Sequence, residues 1–150
     1  MLLDTCALIW IAQDAPLNGE ARAMIRDAAM RRTLYVSPAS AWEIGLLSRP
    51  RTGRASPPLF APDPKTWFAA FMARPGVRLA ALTPEMAIDS SHLPGVFHPD
   101  PGDRLIIATA RHLGATVVTR DQKILDYAQA GFVEALPADA SPRREALVAE

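Results

Sequence analysis

The chain has 150 residues, of which 49% are hydrophobic, so it suits one folded domain with a sizeable core and is not a disordered chain. Lysine plus arginine and aspartate plus glutamate both number 16, which argues against a strongly basic nucleic-acid binder but says nothing of local charged patches. The single cysteine, Cys6, cannot form an internal disulfide, and we see neither a signal peptide nor an apolar run long enough to span a membrane. We therefore expect a cytoplasmic protein with no membrane partner.

The first half of the chain alternates predicted strands and helices. In order, these are a strand over residues 1–4, a short helix over 7–12, a helix over 19–31, a strand over 34–36, an apolar helical stretch over 41–47 and a surface loop over 50–62. Asn18 is the expected N-cap of the longest helix, and Ser37 with Pro38 supplies a cap and a first-turn proline for the next one. The closely spaced prolines of the loop remove backbone donors, which favours irregular structure there.

The second half continues the alternation. It holds a helix from residue 63, a strand over 77–82, a helix from 83, a loop over 92–101, a helix from 103 that Gly114 stops, a strand over 115–119, a helix over about 122–129 and a strand over 132–136. Such alternation predicts an α/β fold with a parallel sheet covered by helices on both faces. In a sheet of this kind the binding crevice lies at the carboxyl ends of the strands.

Four acidic residues stand where predicted elements begin or end, or inside an apolar helix. They are Asp4 after the first strand, Glu43 within an apolar helix, Asp103 at a helix start and Asp121 after the fourth strand. Taken singly, each aspartate is more simply an N-cap, whereas a partly buried Glu43 without a partner would be costly. Converging carboxylates repel one another unless a hard divalent cation neutralises them. We therefore predict a Mg²⁺ or Mn²⁺ site.

The other chemistry-bearing residues give weaker signals. We expect Cys6 to pack in the core beside the first strand. The three histidines lack the spacing typical of metal ligands; they are His92, His98 and His112. The candidates for phosphate contacts beside an acidic site are Arg104, Arg111, Arg120 and Lys123. A basic loop is also suited to follow a single nucleic-acid strand, and it carries Arg49, Arg51 and Arg54.

Four segments of the chain resemble the signature blocks of one known family. They are Leu3-Asp4-Thr5, Ser40-Ala41-Trp42-Glu43-Ile44, the run from Pro99 through Asp103 to Ala108, and Val118-Thr119-Arg120-Asp121. In this order and spacing they resemble the PIN domain, and within it the VapC-type toxins of bacterial toxin–antitoxin pairs. The resemblance covers residues 1–136 and implies a three-layer α/β/α sandwich with a central, mainly parallel sheet of about five strands. It leaves residues 137–150 as a peripheral C-terminal tail.

The resemblance also implies a function and its residues. It implies a metal-dependent ribonuclease with the four acids in its site, a homodimer, and inhibition by a small cognate antitoxin protein. We assign Asp4 and Asp103 to Mg²⁺ as principal ligands, with Mn²⁺ as a possible substitute, and Asp121 either to the same shell or to a second ion. Glu43 is assigned to orienting or deprotonating the attacking water. The residues assigned to RNA substrate binding are Thr5, Thr119, Arg104 and Arg120. Thr119 also matches a position where members of the family carry a polar residue that supports the acidic site.

Two positions depart from the family pattern. Cys6 stands where relatives often have histidine, and Gly102 stands where they often have phenylalanine. Neither change removes a predicted metal ligand. We expect the glycine to loosen the loop that aims Asp103.

Two alternative functions remain open at the level of sequence. A haloacid-dehalogenase-like phosphatase also places its nucleophile after a first strand, but it usually carries a second acid two residues later, where this chain has Cys6. A catalytically silent PIN-like fold that acts as a binding module would not need the four acids.

Overall fold

The computed structural model describes residues 1–53 and 58–140. Its strands are β1 (Leu2–Leu3), β2 (Leu34–Val36), β3 (Val77–Leu79), β4 (Val117–Thr119) and β5 (Ala135–Pro137). Its helices are α1 (Thr5–Ala12), α2 (Gly19–Met30), α3 (Pro38–Leu47), α4 (Pro64–Met72), α5 (Pro84–Ser90), α6 (Pro101–Leu113) and α7 (Gln122–Gln129). A 3₁₀ turn at Pro58–Phe60 precedes α4.

The five strands form one parallel sheet in the order β3-β2-β1-β4-β5. Leu2 is paired with Tyr35 on one side and with Val117 on the other, so β1 lies at the centre. The chain winds from β1 towards β3 in one direction and reaches β5 in the other. The carboxyl ends of β1 and β4 therefore flank the switch point, where open α/β sheets bind their ligands.

Helices cover both faces of the sheet. Successive strand residues point to opposite faces, and both sets are apolar, so each face needs helices to bury it. Leu3 and Val118 belong to one buried cluster, which also contains residues of α1, α2 and α4. Leu2 and Val117 belong to a second cluster, which contains residues of α6 and α7. The predicted three-layer α/β/α sandwich with a parallel five-stranded sheet is confirmed.

Side-chain caps explain where several helices begin. The Asn18 side chain accepts a hydrogen bond from the Ala21 amide, as predicted, and its own amide group donates to the Pro137 carbonyl. The Ser37 hydroxyl accepts from the Ala39 amide at the start of α3. These caps satisfy backbone donors that the first turn of a helix leaves free.

Several predicted bounds differ from the observed ones. The strand predicted over residues 77–82 ends at Leu79, and the strand predicted over 132–136 begins only at Ala135. Phe132 instead turns inward and stacks on Tyr127, with 4.9 Å between the ring centroids. Packing of an aromatic ring thus takes precedence over strand propensity at this position.

The proline-rich segment is not a surface loop throughout. Residues 54–57 lie outside the described residues, but the 3₁₀ turn that follows them buries Phe60. Phe60 meets the edge of Trp67 in α4 at a centroid distance of 5.0 Å. This part of the segment therefore joins the hydrophobic core.

The domain boundary predicted at residue 136 stays a prediction. β5 continues to Pro137, Ala138 is fully buried, and Asp139 forms an isolated bridge with Leu17. Residues 141–150 of the predicted tail lie outside the described residues. Among the helices that are described, none has the length and apolar character needed to cross a membrane.

Candidate active site

Two of the predicted acids follow the neighbouring strands β1 and β4 at the switch point. Asp4 follows β1 and caps α1, since its Oδ1 accepts from the Ala7 amide at 2.7 Å. Asp121 follows β4 and caps α7, since its Oδ1 accepts from the Lys123 amide at 2.8 Å. Both aspartates therefore cap a helix, as the simpler interpretation predicted, and both also face the crevice between the strand ends.

Buried Thr119 joins these two aspartates. Its hydroxyl accepts from the Asp121 amide at 2.9 Å, and its contact with the Asp4 carboxylate works to lower the pKa of that group. Because Thr119 has no exposed surface, it supports the site from within the sheet and cannot touch a substrate.

Glu43 reaches the same crevice from α3. Its Oε1 is buried and has no hydrogen-bond partner among the residues described. The Thr5 hydroxyl lies against the Glu43 carboxylate, where it works to lower the pKa, and donates to the Ser40 hydroxyl at 3.0 Å. A buried carboxylate oxygen without a partner is costly unless a ligand supplies one.

The sequence suggested that Asp103 opens a helix. Asp103 lies instead within the first turn of α6. The helix begins at Pro101, and Asp100 is its N-cap, with Oδ1 3.0 Å from the Asp103 amide that donates to it. The position of Asp103 suits an anion, because free backbone donors and the helix dipole favour negative charge there.

The expectation that Gly102 loosens the segment that aims Asp103 stays a prediction, but the structure shows a second consequence of the glycine. Gly102 is buried in the first turn of α6, and a Cβ at this position would lie 1.9 Å from Glu43 Oε1. The absence of a side chain therefore makes room for the Glu43 carboxylate.

Asp4, Glu43 and Asp103 hold their protons more tightly than ordinary acids. Burial above all, with smaller contributions from the charges of Asp103 and Asp121, raises the pKa of Asp4 to about 6 against the opposing hydrogen bonds. Burial above all, with the charges of neighbouring carboxylates, likewise raises the pKa of Glu43 to about 7 and that of Asp103 to about 6. Clustered, partly desolvated acids of this kind are typical of a site that binds a cation.

His98 is a member of the site that sequence reasoning missed. Its Nε2 lies 3.1 Å from Asp103 Oδ2. The only sequence signal for it is that His98 stands five residues before Asp103. Arg104 holds the His98 loop, because its guanidinium donates to the carbonyls of Ser90, Phe97 and His98.

Two overlapping groups of ligand atoms share Asp103. In each group the atoms lie within 4.8 Å of one another; one group is His98, Asp103 and Asp121, and the other is Glu43, Asp100 and Asp103. Asp4 belongs to neither group, although its charge acts on the same cluster. Of the predicted metal ligands, Asp103 therefore has the most central position.

The four residues assigned to substrate binding have other partners. Thr5 and Thr119 are buried, and Arg104 is used to hold the His98 loop. Arg120 donates to the Pro16 carbonyl and lies 3.7 Å from the centroid of the Trp10 ring. These assignments stay predictions, and the burial of the hydroxyls and the internal hydrogen bonds of the guanidinium groups do not favour them.

The other basic candidates are placed differently. Arg111 donates to the Phe132 carbonyl, away from the cluster. Lys123 is exposed in the first turn of α7, and its charge works to lower the pKa of Asp103. Arg49 and Arg51 are exposed, while Arg54 lies outside the described residues. Lys123 is thus an exposed candidate cation whose charge acts on the acids.

Cys6 was expected to pack in the core, and this prediction is wrong. The residue is exposed beside the acidic cluster. Partial burial of its sulfur and the four nearby carboxylates raise the pKa of the thiol to about 11. Cys6 is therefore a neutral thiol near neutral pH and a poor nucleophile.

Known proteins show the same fold and a related sequence. The PIN domain family model matches residues 1–130. A segment of 48 residues is 44% identical to ribonuclease VapC22 of Mycobacterium tuberculosis (strain ATCC 25618 / H37Rv), and it covers 32% of this chain but only 37% of that relative.

Two solved structures share the architecture. One is VapBC2 from Rickettsia felis bound to a DNA fragment from its promoter, with a TM-score of 0.60, 14% identity, and coverage of 92% of this chain and 98% of that one. The other is FitAB bound to an IR36 DNA fragment, with a TM-score of 0.54, 19% identity, and coverage of 90% and 92%. At these identities the likeness shows the fold alone.

Proposed function

This chain belongs to the PIN domain family, and we propose that it is a metal-dependent ribonuclease that hydrolyses RNA phosphodiester bonds as the toxin of a toxin–antitoxin pair. The observation that carries the proposal is the meeting of four carboxylates from separate elements at the switch point of the sheet; they are Asp4, Glu43, Asp103 and Asp121. The naming of one related protein as a ribonuclease supports the choice of RNA.

The donor set fits a divalent cation. Carboxylate oxygens are the ligands that Mg²⁺ and Mn²⁺ prefer, and the buried, unpartnered Glu43 Oε1 needs a positive partner. Asp103 and Asp121 would hold the ion, with Asp4 beside them. When bound, the cation lowers the pKa of the attacking water and neutralises charge on the phosphate.

The protein's own residues supply position and proton transfer. Glu43, which reaches the cluster from α3 beside Asp103, is placed to orient the attacking water or to take its proton. Thr119 orients Asp4 and Asp121, and Gly102 leaves Glu43 its place. Lys123 replaces the internally bonded arginines as the proposed phosphate contact.

We also propose a homodimer and a cognate antitoxin as partners. Exposed apolar side chains offer surfaces on α2, where Met30 is 75% exposed, and on α3, where Trp42 is 48% exposed. The aromatic residues of α4 pack against the core and so offer less surface to a partner. An antitoxin on α3 would bring a cationic side chain within reach of the acids. Light scattering that detects only a monomer at micromolar concentration would contradict the dimer.

A single experiment separates the proposed function from its alternatives. Purified protein is incubated with labelled RNA or with p-nitrophenyl phosphate, in EDTA and after addition of Mg²⁺ or Mn²⁺. We expect RNA cleavage that EDTA abolishes and either ion restores. Hydrolysis of p-nitrophenyl phosphate alone would favour the phosphatase, inactivity towards both would favour the silent binding module, and full cleavage in EDTA would contradict the metal mechanism.

A further inference from the structure

The His98 side chain points at the acidic cluster from a loop that the proposed mechanism does not use. Its Nε2 is 3.1 Å from Asp103 Oδ2, and one of its ring nitrogens lies within 4.8 Å of carboxylate oxygens of both Asp103 and Asp121. His98 therefore stands beside two proposed metal ligands that come from different elements, α6 and the start of α7.

The short contact between His98 and Asp103 is not a hydrogen bond. Nε2 is buried and lacks a hydrogen-bond partner among the described residues, although Asp103 Oδ2 is close, because an N–H on this nitrogen would not point at the oxygen. Only 15% of the His98 side chain is exposed, so water does not solvate it freely. A buried ring nitrogen in this condition is destabilising unless another atom bonds to it.

The surroundings of His98 hold the ring in this orientation. The Phe97 ring lies against it at a centroid distance of 4.3 Å. Arg104 donates to the carbonyls of Phe97 and His98, which anchors the backbone on both sides of the imidazole. The nitrogen is thus placed before any ligand arrives, as preorganised metal sites require.

We propose that His98 is a direct ligand of the divalent cation through Nε2, completing a mixed nitrogen–oxygen site with Asp103 and Asp121. The inference rests on the proposed metal-dependent function and refines the identity of the ion. Imidazole is a ligand of first-row transition ions, whereas Mg²⁺ takes oxygen ligands and water. The site therefore binds Mn²⁺ in preference to Mg²⁺.

The direct test is pulsed electron paramagnetic resonance of Mn²⁺ bound to the intact protein. We expect electron spin echo modulation from one imidazole nitrogen, which is absent in His98→Gln. Mn²⁺ bound without nitrogen modulation would overturn the His98 proposal and leave the metal mechanism standing. Failure of the wild-type protein to bind Mn²⁺ at all would overturn both.

A matched control addresses a second place where Mn²⁺ could meet a histidine. His112 lies with Glu85 and Asp89 in an exposed group of possible ligand atoms. His112→Gln should keep the nitrogen modulation, and its loss in this variant would contradict the proposal. Calorimetric titrations give a second readout: in His98→Gln, the ratio of Mn²⁺ to Mg²⁺ affinity should fall on the order of 10-fold. An unchanged ratio, with circular dichroism showing an intact fold, would also overturn it.

Discussion

Two groups of carboxylates, each with a histidine, lie near opposite ends of α6. The acidic cluster at its start consists of Asp4, Glu43, Asp103 and Asp121, with His98 beside them. The surface group near its end consists of Glu85, Asp89 and His112. Their composition is similar, but only the acidic cluster gathers side chains from several elements at the ends of the central strands.

The difference between the two groups is one of burial. All three members of the surface group are exposed, and His112 Nε2 simply pairs with Asp89 Oδ2 at 2.8 Å. Water screens such a pair, so it contributes little to stability and demands no further ligand. In the acidic cluster, burial removes that screening and leaves Glu43 Oε1 and His98 Nε2 without partners among the described residues. Buried polar atoms without partners therefore identify a candidate site better than the residue types do.

The largest expected difference between the groups is in catalysis. Asp103→Asn should reduce RNA cleavage by a factor on the order of 10² or more. The change neutralises the carboxylate that lies near His98 and Asp121 on one side and near Glu43 and Asp100 on the other. Asp89→Asn, the matched change in the surface group, should leave the rate unchanged. Rates are measured with labelled RNA, and circular dichroism checks that both variants fold. Equal loss of activity in the two variants would contradict the distinction.

A smaller effect is expected at Gly102, through Glu43 alone. Gly102→Ala would place a Cβ 1.9 Å from Glu43 Oε1, so the flexible carboxylate must move, and cleavage should fall on the order of 10-fold. Gly45→Ala is the control, because it lies in the same helix as Glu43 and a Cβ there meets nothing within 4 Å. The control should keep full activity and gain about 0.5–1 kcal/mol of stability. Full activity in Gly102→Ala would show that the position of Glu43 is not critical.

Asp100 should matter less than Asp103, although it lies in the same loop. Asparagine caps a helix as well as aspartate does, so Asp100→Asn should keep the start of α6 and lose less than about 10-fold in rate. Asp100→Ala removes the cap and should lower the free energy of unfolding by about 1 kcal/mol. The two measurements are RNA cleavage and urea unfolding. A dead Asp100→Asn variant beside an active Asp103→Asn variant would mean that Asp100 is the principal ligand.

The acidic cluster should also give the metal-free protein a characteristic pH dependence. The pKa values of Asp4, Glu43 and Asp103 are raised to about 6, 7 and 6, so between about pH 4 and 7 the folded state binds more protons than the unfolded state. The contribution of these acids to stability is therefore greatest below about pH 4 and falls as the pH rises through the folded pKa values.

A divalent cation should reverse this loss. At about 100-fold excess over its Kd near pH 7.5, Mn²⁺ should raise Tm by on the order of 5 °C, with a smaller rise near pH 5, where protons compete for the carboxylates. Asp89→Asn should show the same rise and Asp103→Asn little of it. Scanning calorimetry at the two pH values makes the comparison, and an equal rise in both variants would point to binding outside the acidic cluster.

The sequence was sufficient for the features that depend on short stretches of chain. The alternation of elements predicted the parallel sheet, and local caps such as Asn18 and Ser37 predicted where helices begin. Asp4 and Asp121 could be placed at one edge of the sheet because the carboxyl ends of parallel strands meet there. Element bounds were less accurate, since packing decided them, as the stacking of Phe132 on Tyr127 illustrates.

Only the tertiary structure decided which side chains face the acids. It turned His98 towards Asp103, placed Gly102 against Glu43, and gave Arg104 carbonyl partners in place of solvent. Each of these contacts depends on side-chain direction and on the fit between neighbouring elements, neither of which residue type or spacing specifies. The four acids of the cluster could therefore be predicted from the sequence. Their burial, the buried atoms without partners and the exposure of the cluster to solvent depend on packing.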